Sequence, residues 1–294
     1  MDLDLAQLRA LDATVAAGTL DGAARALHVT PSAISQRLKA LEAATGRVLL
    51  VRNKPVRVTE SGQAVLRLAR QVALLAADAG RELADPAGRG PVTLPIAVNA
   101  DSMATWVLPA IASLAGQYAF DLHRDDQEHT AALLRDGRVM AALTAAAEPV
   151  PGCTVTRLGS MRYRPMATPA YAARWLPDGP TTGALSDAPV VVFDRKDDLQ
   201  AEYLRGRGVD PSVPPAHFVP ASADYLTAVR LGFGWGMVPR QQEPPGELVE
   251  IDADGAVDVV LYWQQWRLRS PSLDRVADAV RTAARTALDQ TLRR

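Results

Sequence analysis

Between Thr30 and Thr45 the sequence reads TPSAISQRLKALEAAT, a helix with two faces of opposite character. Thr30 offers an N-cap oxygen, and Pro31 takes the first helical position, where its missing N–H costs nothing. At about 100° per residue, Ile34, Leu38 and Leu41 share one face and must be buried. Ser32, Ser35, Gln36 and Lys39 fall on the other. These are short hydroxyls, an amide and a cation, the types that hydrogen-bond base edges and phosphates. A merely solvated face would use the same residues, so the neighbouring segments must decide. Upstream, Leu3, Leu8, Leu11 and Val15 sit at helical spacings before a stop at Gly18. Thr19 then caps a short helix carrying Leu20, Ala23, Ala24 and Leu27, and His28-Val29 makes a turn into Thr30. Two small helices with alanines at their contact, the second polar outward, predict a helix-turn-helix whose second member enters a major groove.

The next segments extend that reading. Val48-Leu49-Leu50-Val51 and Val56-Arg57-Val58 flank Arg52-Asn53-Lys54-Pro55, which predicts a β-hairpin with a basic tip. As a wing on the phosphate backbone, Arg52, Lys54 and Arg57 would supply sequence-independent affinity. Thr30, Pro31, Ser32, Ser35, Gln36, Arg37 and Lys39 complete the expected DNA-binding set. From Thr59 a long helix is expected to about Asp85. Val65, Leu68, Val72, Leu75 and Ala79 step along it by 3, 4, 3 and 4 residues, the seam of a coiled coil. Such a helix can also pack on its own domain. Pairing with a second copy is preferred, because two-fold symmetry would let a small DNA module read two half-sites.

The overall charge hides this module. The chain of 294 residues has 32 Lys+Arg against 33 Asp+Glu, a net charge of −1. Residues 25–57, however, hold seven bases (Arg25, Arg37, Lys39, Arg47, Arg52, Lys54, Arg57) and one acid, Glu42. Seven minus one is +6, which leaves −7 for the remainder. Only Pro31 and Pro55 precede residue 86, and all five tryptophans follow residue 105. A boundary at DPAGRGP, 85–91, fits both shifts. The one cysteine, Cys153, excludes a disulfide framework or a multi-thiolate zinc site and suits a reducing compartment. The start MDLDLAQLRA lacks the basic end and apolar core of a signal peptide, and no apolar run approaches the roughly 18 residues of a membrane span. A soluble, cytoplasmic, nucleoid-associated protein without membrane contact is expected.

The run GTLDGAARALHVTPSAISQRLKALEAATGRVLLVRNKPVRVTESG, 18–62, resembles the winged helix-turn-helix of LysR-type transcriptional regulators. The Ala23-Ala24 pair, Pro31, Ser35, Leu41-Glu42, Gly46, Arg52, Thr59 and Gly62 fall where that family's pattern wants them. Gly22 departs from the usual alanine-like helix former, at an expected cost of about 1 kcal/mol. Leu50-Val51 stands where Leu-Phe is usual. LLVR at 49–52, VNADSMATW at 98–106, DDQEH at 125–129 and LYWQQW at 261–266 are similar to the LysG/ArgP (IciA-like) branch. That resemblance covers nearly the whole chain. It implies a homodimer or homotetramer that binds double-stranded operator DNA, engages RNA polymerase and controls basic amino-acid export or related genes. Another small-molecule effector, or a replication-origin or architectural role, remains the alternative.

The implied fold is α+β and multidomain. It comprises a winged helix-turn-helix at 1–58, a linker or dimerisation helix at 59–85, a hinge at 86–91 and an α/β effector-binding domain at 92–294. The last resembles periplasmic binding proteins, with subdomain I at 92–161 and 267–294 and subdomain II at 162–266. Residue patterns agree with alternation: strands are expected at 92–98, 120–124, 139–144, 190–193 and 259–266, and helices near 127–136, 196–206, 222–231 and 271–290. Alternation predicts a mostly parallel sheet.

Asn99-Ala100-Asp101-Ser102-Met103 follows the first of these strands and should open a helix. Its N–H groups and the Ser102 hydroxyl could seat a carboxylate, or Asp101 or Ser102 could simply cap the helix. A basic amino acid also presents cations, for which Asp125, Asp126, Glu128, Asp194, Asp197, Asp198 and Asp224 are the acids near strand ends. Asp126, Gln127, Asp194 and Asp224 are preferred, since they follow strands or precede helices on the cleft side. The expected effector contacts are therefore Asn99, Asp101, Ser102, Met103, Asp126, Gln127, Asp194 and Asp224. Enzyme readings find no support. His28, His123, His129 and His217 lack metal-ligand spacing, and there is no GxSxG elbow or Walker loop. Gly232-Phe233-Gly234-Trp235-Gly236 has the wrong spacing for a dinucleotide loop. No cofactor or metal is expected.

Overall fold

The computed structural model describes residues 3–51, 53–83, 91–124, 127–243 and 245–290, the side chains of 127–129 excepted. Arg52, Asp126, the Gln127 side chain and residues 86–90 of the expected hinge lie outside the described residues.

Three helices build the N-terminal module: α1 (Leu5–Ala17), α2 (Leu20–Ala26) and α3 (Pro31–Thr45). Each has the start signal its sequence carries. Asp4 caps α1, the Thr19 hydroxyl accepts from Gly22 N–H, and the Thr30 hydroxyl accepts from Ala33 N–H at 3.2 Å. Gly18 and Gly46 end α1 and α3 with φ of 65° and 63°, where a side chain would be strained. Ala23 and Ala24 are buried, as are Ile34, Leu38 and Leu41, and together with Leu8 and Leu11 they form one small core. The hairpin strands β1 (Leu50–Val51) and β2 (Arg57–Val58) are shorter than expected. Their base is fixed to α3 by the Glu42 carboxylate, which accepts from Leu49 N–H at 3.0 Å. Gly22 has a structural reason. A Cβ there would lie 2.7 Å from the Ala17 Cβ, so the α1–α2 corner has no room for alanine.

Thr59 caps α4 (Glu60–Leu83), and its hydroxyl accepts from Gly62 N–H at 3.0 Å. The helix serves its own chain on one face. Leu66 and Ala69 are buried in the N-terminal core, Val65 and Val72 pack partly against it, and Leu74 enters the C-terminal core. Farther along, the buried Asp78 carboxylate accepts hydrogen bonds from Ser270, at 2.5 Å, and Ser272. Arg70 bonds Asp12 at 2.8 Å and the Gly137 carbonyl, while Arg81 donates to the Gln117 carbonyl at 2.6 Å and lies over the Tyr118 ring. Leu68, Leu75 and Ala79 stay exposed on another face.

Beyond Pro91 the chain continues through β3 (Val92–Val98), α5 (Ala100–Ser102), a π-helical turn (Met103–Val107), α6 (Leu108–Ile111), β4 (Tyr118–Arg124), α7 (Gln127–Arg135) and β5 (Ala141–Thr144). It then runs through β6 (Cys153–Ala167), α8 (Pro169–Trp175), α9 (Thr182–Asp187), β7 (Val190–Val192), α10 (Leu199–Gly206), β8 (Ala216–Phe218) and α11 (Ser222–Arg230). Finally come β9 (Gly236–Pro239), β10 (Val249–Glu250), β11 (Val257–Trp266) and α12 (Pro271–Ala287). The main sheet has the order β10-β6-β11-β5-β3-β4, with β9 also paired to β6; β7 and β8 form a separate parallel pair.

The expectation of a mostly parallel sheet needs correction. β3 is parallel to β4 and β5, but β11 runs antiparallel to both β5 and β6. The long β6–β11 pair extends from Val257 opposite Tyr163 to Trp266 opposite Cys153 and shifts register between Leu261 and Tyr262. These two strands join a first lobe, built on β3, β4, β5, α7 and α12, to a second built on β7–β10 and α8–α11. Tyr262–Gln265 pair with β5, so the end of β11 belongs to the sheet of the first lobe. β6 escaped sequence reading because Gly159, Pro165 and three arginines interrupt its alternation. Gly159 sits at φ 143°, and a Cβ there would lie 2.9 Å from the Asp289 carbonyl oxygen. Strand and chain end approach closely at that point.

Candidate functional site

Two surfaces gather the residues singled out by the sequence. The first is the outward side of the N-terminal module. Thr30, Pro31, Ser32, Gln36 and Lys39 are exposed on α3, and Ser35 and Arg37 are half-buried beside them. The Thr30 oxygen accepts the cap bond from Ala33 N–H, and its hydroxyl proton stays available to donate. Lys54 and Arg57 are exposed on the hairpin. The Val56 N–H bonds the Gly18 carbonyl at 2.9 Å, which ties the hairpin to the α1–α2 corner. Cations on the wing thus flank a rigid polar helix face.

The second surface is a cleft of about 800 Å³ between the lobes. Asn99, Ala100 and Asp101 line it from the end of β3 and the first turn of α5. In register, Arg124 stands beside Val98, so this cation occupies the same sheet end and also lines the cleft. The Asn99 Oδ1 and Ser102 Oγ atoms are buried without a hydrogen-bond partner among the described residues. Buried polar atoms are ordinarily paired, so two orphans at one helix start point to a polar group supplied from elsewhere. The π turn beginning at Met103 follows immediately, an irregularity frequent at functional sites. The Met103 side chain itself packs against the core and does not line the cleft.

Asp101 reaches across. Its Oδ2 accepts from the Tyr163 hydroxyl at 2.8 Å and its Oδ1 from the Ser222 hydroxyl at 2.7 Å. Gln242 Nε2 donates to Ser222 Oγ at 2.7 Å. A first-lobe carboxylate is thereby bonded to the crossover strand and to the start of α11 in the second lobe. Burial, with Asp101 beside it, holds the Tyr163 hydroxyl far above its ordinary pKa, so it stays a donor.

The acids sort differently from the expectation. Asp194 does line the cleft, and its Oδ1 accepts from Lys196 N–H at 2.7 Å and Asp197 N–H at 3.1 Å. Asp224 does not; it is exposed on the first turn of α11, and Ser222 is the residue of that turn bonded into the site. Helical rotation explains the error: a position two residues on lies about 200° round the helix. Asp126 and the Gln127 side chain lie outside the described residues. Asp197, set aside in favour of its neighbours, lines the cleft, and burial, with Asp101 and Asp194 nearby, pushes its carboxyl up to about 6. Its alternation with exposed residues in a loop left no periodic signal to find it. In all, six acids (Asp101, Asp194, Asp197, Asp198, Glu202, Asp258) and three bases (Arg124, Arg195, Lys196) line the cleft, a formal excess of three negative charges. That balance favours a cationic ligand.

Comparison with known proteins gives matches over both parts of the chain. Residues 5–63 match the family described as bacterial regulatory helix-turn-helix protein, lysR family, and residues 88–285 match the LysR substrate binding domain. The HTH-type transcriptional regulator LysG of Mycobacterium tuberculosis is 45% identical over 286 residues, which are 96% of this chain and 94% of that protein. The crystal structure of ArgP from Mycobacterium tuberculosis has a TM-score of 0.88 at 43% identity, covering 98% of this chain and 99% of that one. Full-length LysG from Corynebacterium glutamicum with bound effector arginine has a TM-score of 0.80 at 38% identity, covering 98% and 100%.

Proposed function

The chain belongs to the lysR family of bacterial regulators, and on that premise we propose that it is a transcription regulator, not an enzyme, whose cleft senses lysine, arginine or histidine. One observation carries the ligand class. The cleft joins an orphaned helix start and Arg124, suited to an α-carboxylate, to an acid-rich wall suited to cations. The relative solved with bound arginine supports the same class. Asn99, Ser102 and Arg124 would take the carboxylate, and Asp101 and Asp194 would face the cations. Asp126 and Gln127 stay in the proposed set on their place after β4, while Met103 acts from below by packing.

On the other surface, Ser32, Ser35, Gln36 and Lys39 would read base edges, with Thr30, Pro31, Arg37, Arg52, Lys54 and Arg57 against phosphates. Two copies would pair through Leu68, Leu75 and Ala79, with Val65 and Val72 at the edge of the seam, as a homodimer or a tetramer made from it. The domain limits at 58, 85 and 91 form part of the proposal, as do a first lobe at 92–161 and 267–294 and a second at 162–266, with residues 262–265 of the returning strand paired into the first lobe's sheet. So do control of an amino-acid exporter or related gene, engagement of RNA polymerase and a place in the cytoplasm at the nucleoid. Among the described residues, no helix is long and apolar enough to cross a membrane.

Effector binding shifts the regulator only through differential affinity for two arrangements of the lobes. Asp101 is the contact at which that difference would arise, because it already bonds both sides. Calorimetry with the twenty amino acids tests the proposal. Heat with lysine, arginine or histidine and none with neutral residues is expected; no heat with any basic amino acid would remove the effector assignment while leaving the family intact.

A further inference from the structure

The acids of the cleft are not equivalent. Asp258 is paired with Arg162 at 2.7 Å, and Asp198 lies 3.8 Å from Arg205. Asp101 receives two hydroxyls, and Asp194 receives the backbone N–H groups of its own turn. Glu202 is exposed. Asp197 is different. Its carboxylate accepts from Leu199 N–H at 3.2 Å, and among the described residues no ion pair compensates it. The groups around it are Asp101 from α5, Asp194 from its own loop, and the hydroxyl-bearing rings of Tyr163 on β6 and Tyr225 on α11. The Tyr225 hydroxyl is bound by Gln200 Nε2 at 2.8 Å, which fixes that wall.

We infer that Asp197 is the residue that selects a charged side chain, its uncompensated carboxylate being the seat of the effector's ammonium, guanidinium or imidazolium group. The inference rests on the cleft being the basic amino-acid site. A neutral side chain of equal length would leave a half-buried acid beside two others, whereas a cation supplies a counter-charge to Asp197, with which Arg195 and Lys196, though they line the same cleft, form no ion pair among the described residues. Its buried position sets up a proton linkage. The unliganded carboxyl, raised to about 6, is partly protonated near that pH. A bound cation favours the ionised form, so ligand binding must expel the proton, and affinity falls as pH drops through about 6.

The test uses the full-length protein, L-lysine against L-norleucine, and L-arginine against L-citrulline. Wild type should prefer the charged member of each pair. In D197N, affinity for lysine and arginine should fall about ten- to a hundredfold while norleucine and citrulline are unaffected. Calorimetry of wild type with lysine at pH 6, in two buffers of different ionisation enthalpy, should report release of about half a proton, vanishing near pH 8. That measurement decides the matter even where D197N does not fold. Wild type that binds lysine without releasing a proton at pH 6, or folded D197N that keeps its discrimination, overturns the role of Asp197 and leaves the cleft reading standing. Wild type that binds no basic amino acid overturns both.

Discussion

The outward face of α3 and the cleft between the lobes both present polar side chains, but they are assembled over different lengths of chain. On α3 the exposed set spans ten consecutive positions, Thr30 to Lys39, on one helix whose caps are also local. In the cleft, Asp101 meets Tyr163 and Ser222, 62 and 121 residues away. The first surface is a consequence of helical period alone. The second exists only because β6 and β11 carry the chain twice between the lobes. Local sites therefore persist as long as their helix is packed, whereas the cleft depends on how two lobes meet.

The largest effect expected to sharpen this contrast comes from the core beneath α3. Leu38→Ala should destabilise the N-terminal module by about 2–5 kcal/mol and abolish operator binding. Lysine or arginine should still bind the cleft with unchanged heat. Loss of both in the same calorimetric and thermal-unfolding experiments would mean that the two regions fold as one unit.

A second prediction concerns the cleft alone. The raised carboxyl of Asp197 makes the folded state hold its proton more tightly than the unfolded chain, where the ordinary value is 3.8. Its contribution to stability is therefore fully present below pH 3.8 and is lost as pH rises through about 6. Asp197→Asn should flatten this part of the unliganded protein's pH–stability curve, by on the order of 1–3 kcal/mol between pH 4 and 7. Denaturant titrations across that range would show it, and an unchanged curve would place the carboxylate in ordinary solvent.

At the DNA surface the effects divide by chemistry. Gln36→Ala should cost about 1–3 kcal/mol at particular base pairs, read as lost discrimination in competition binding. Equal weakening on every sequence would mean it touches only the backbone. Arg57→Ala should weaken all sequences alike and reduce the salt slope by about one unit. An unchanged slope would remove it from the phosphate contacts. The smallest effect belongs to Gly22→Ala. Helix propensity alone favours alanine by about 1 kcal/mol, but the Cβ would meet Ala17 at 2.7 Å. No net gain in melting temperature is expected, and a clear gain would show that the α1–α2 corner yields.

What could be read in advance follows the same division. The helices of the N-terminal module, the capping by Thr19 and Thr30, and the strands β3, β5 and β11 carried periodic or capping signals. β6 did not, since glycine and proline interrupt it and its three partners, β9, β10 and β11, are remote in sequence. Ser102 was legible as the start of a helix after a strand, yet the sequence pointed to Asp224 and passed by Ser222, because proximity to a helix start says nothing about which way the helix is turned. Asp197 was passed over for a related reason. Its significance lies in the absence of a counter-ion, a property of the assembled wall and not of any short segment. On α4 the spacing of Val65, Leu68, Val72, Leu75 and Ala79 was legible, but two of the five pack against the N-terminal core of their own chain.

The contacts of α4 have a mechanical consequence. Arg70 joins Asp12 of the DNA module to the Gly137 carbonyl of the first lobe, and Asp78 is held between Ser270 and Ser272 at the start of α12. These bonds make the DNA module, the helix and the first lobe a single frame. A ligand-driven change would then be expected to fall on the second lobe, turning about the two crossover strands. A ligand in the cleft would work against that frame as a load against a fixed arm, and any displacement would be felt at the outer surface of the second lobe.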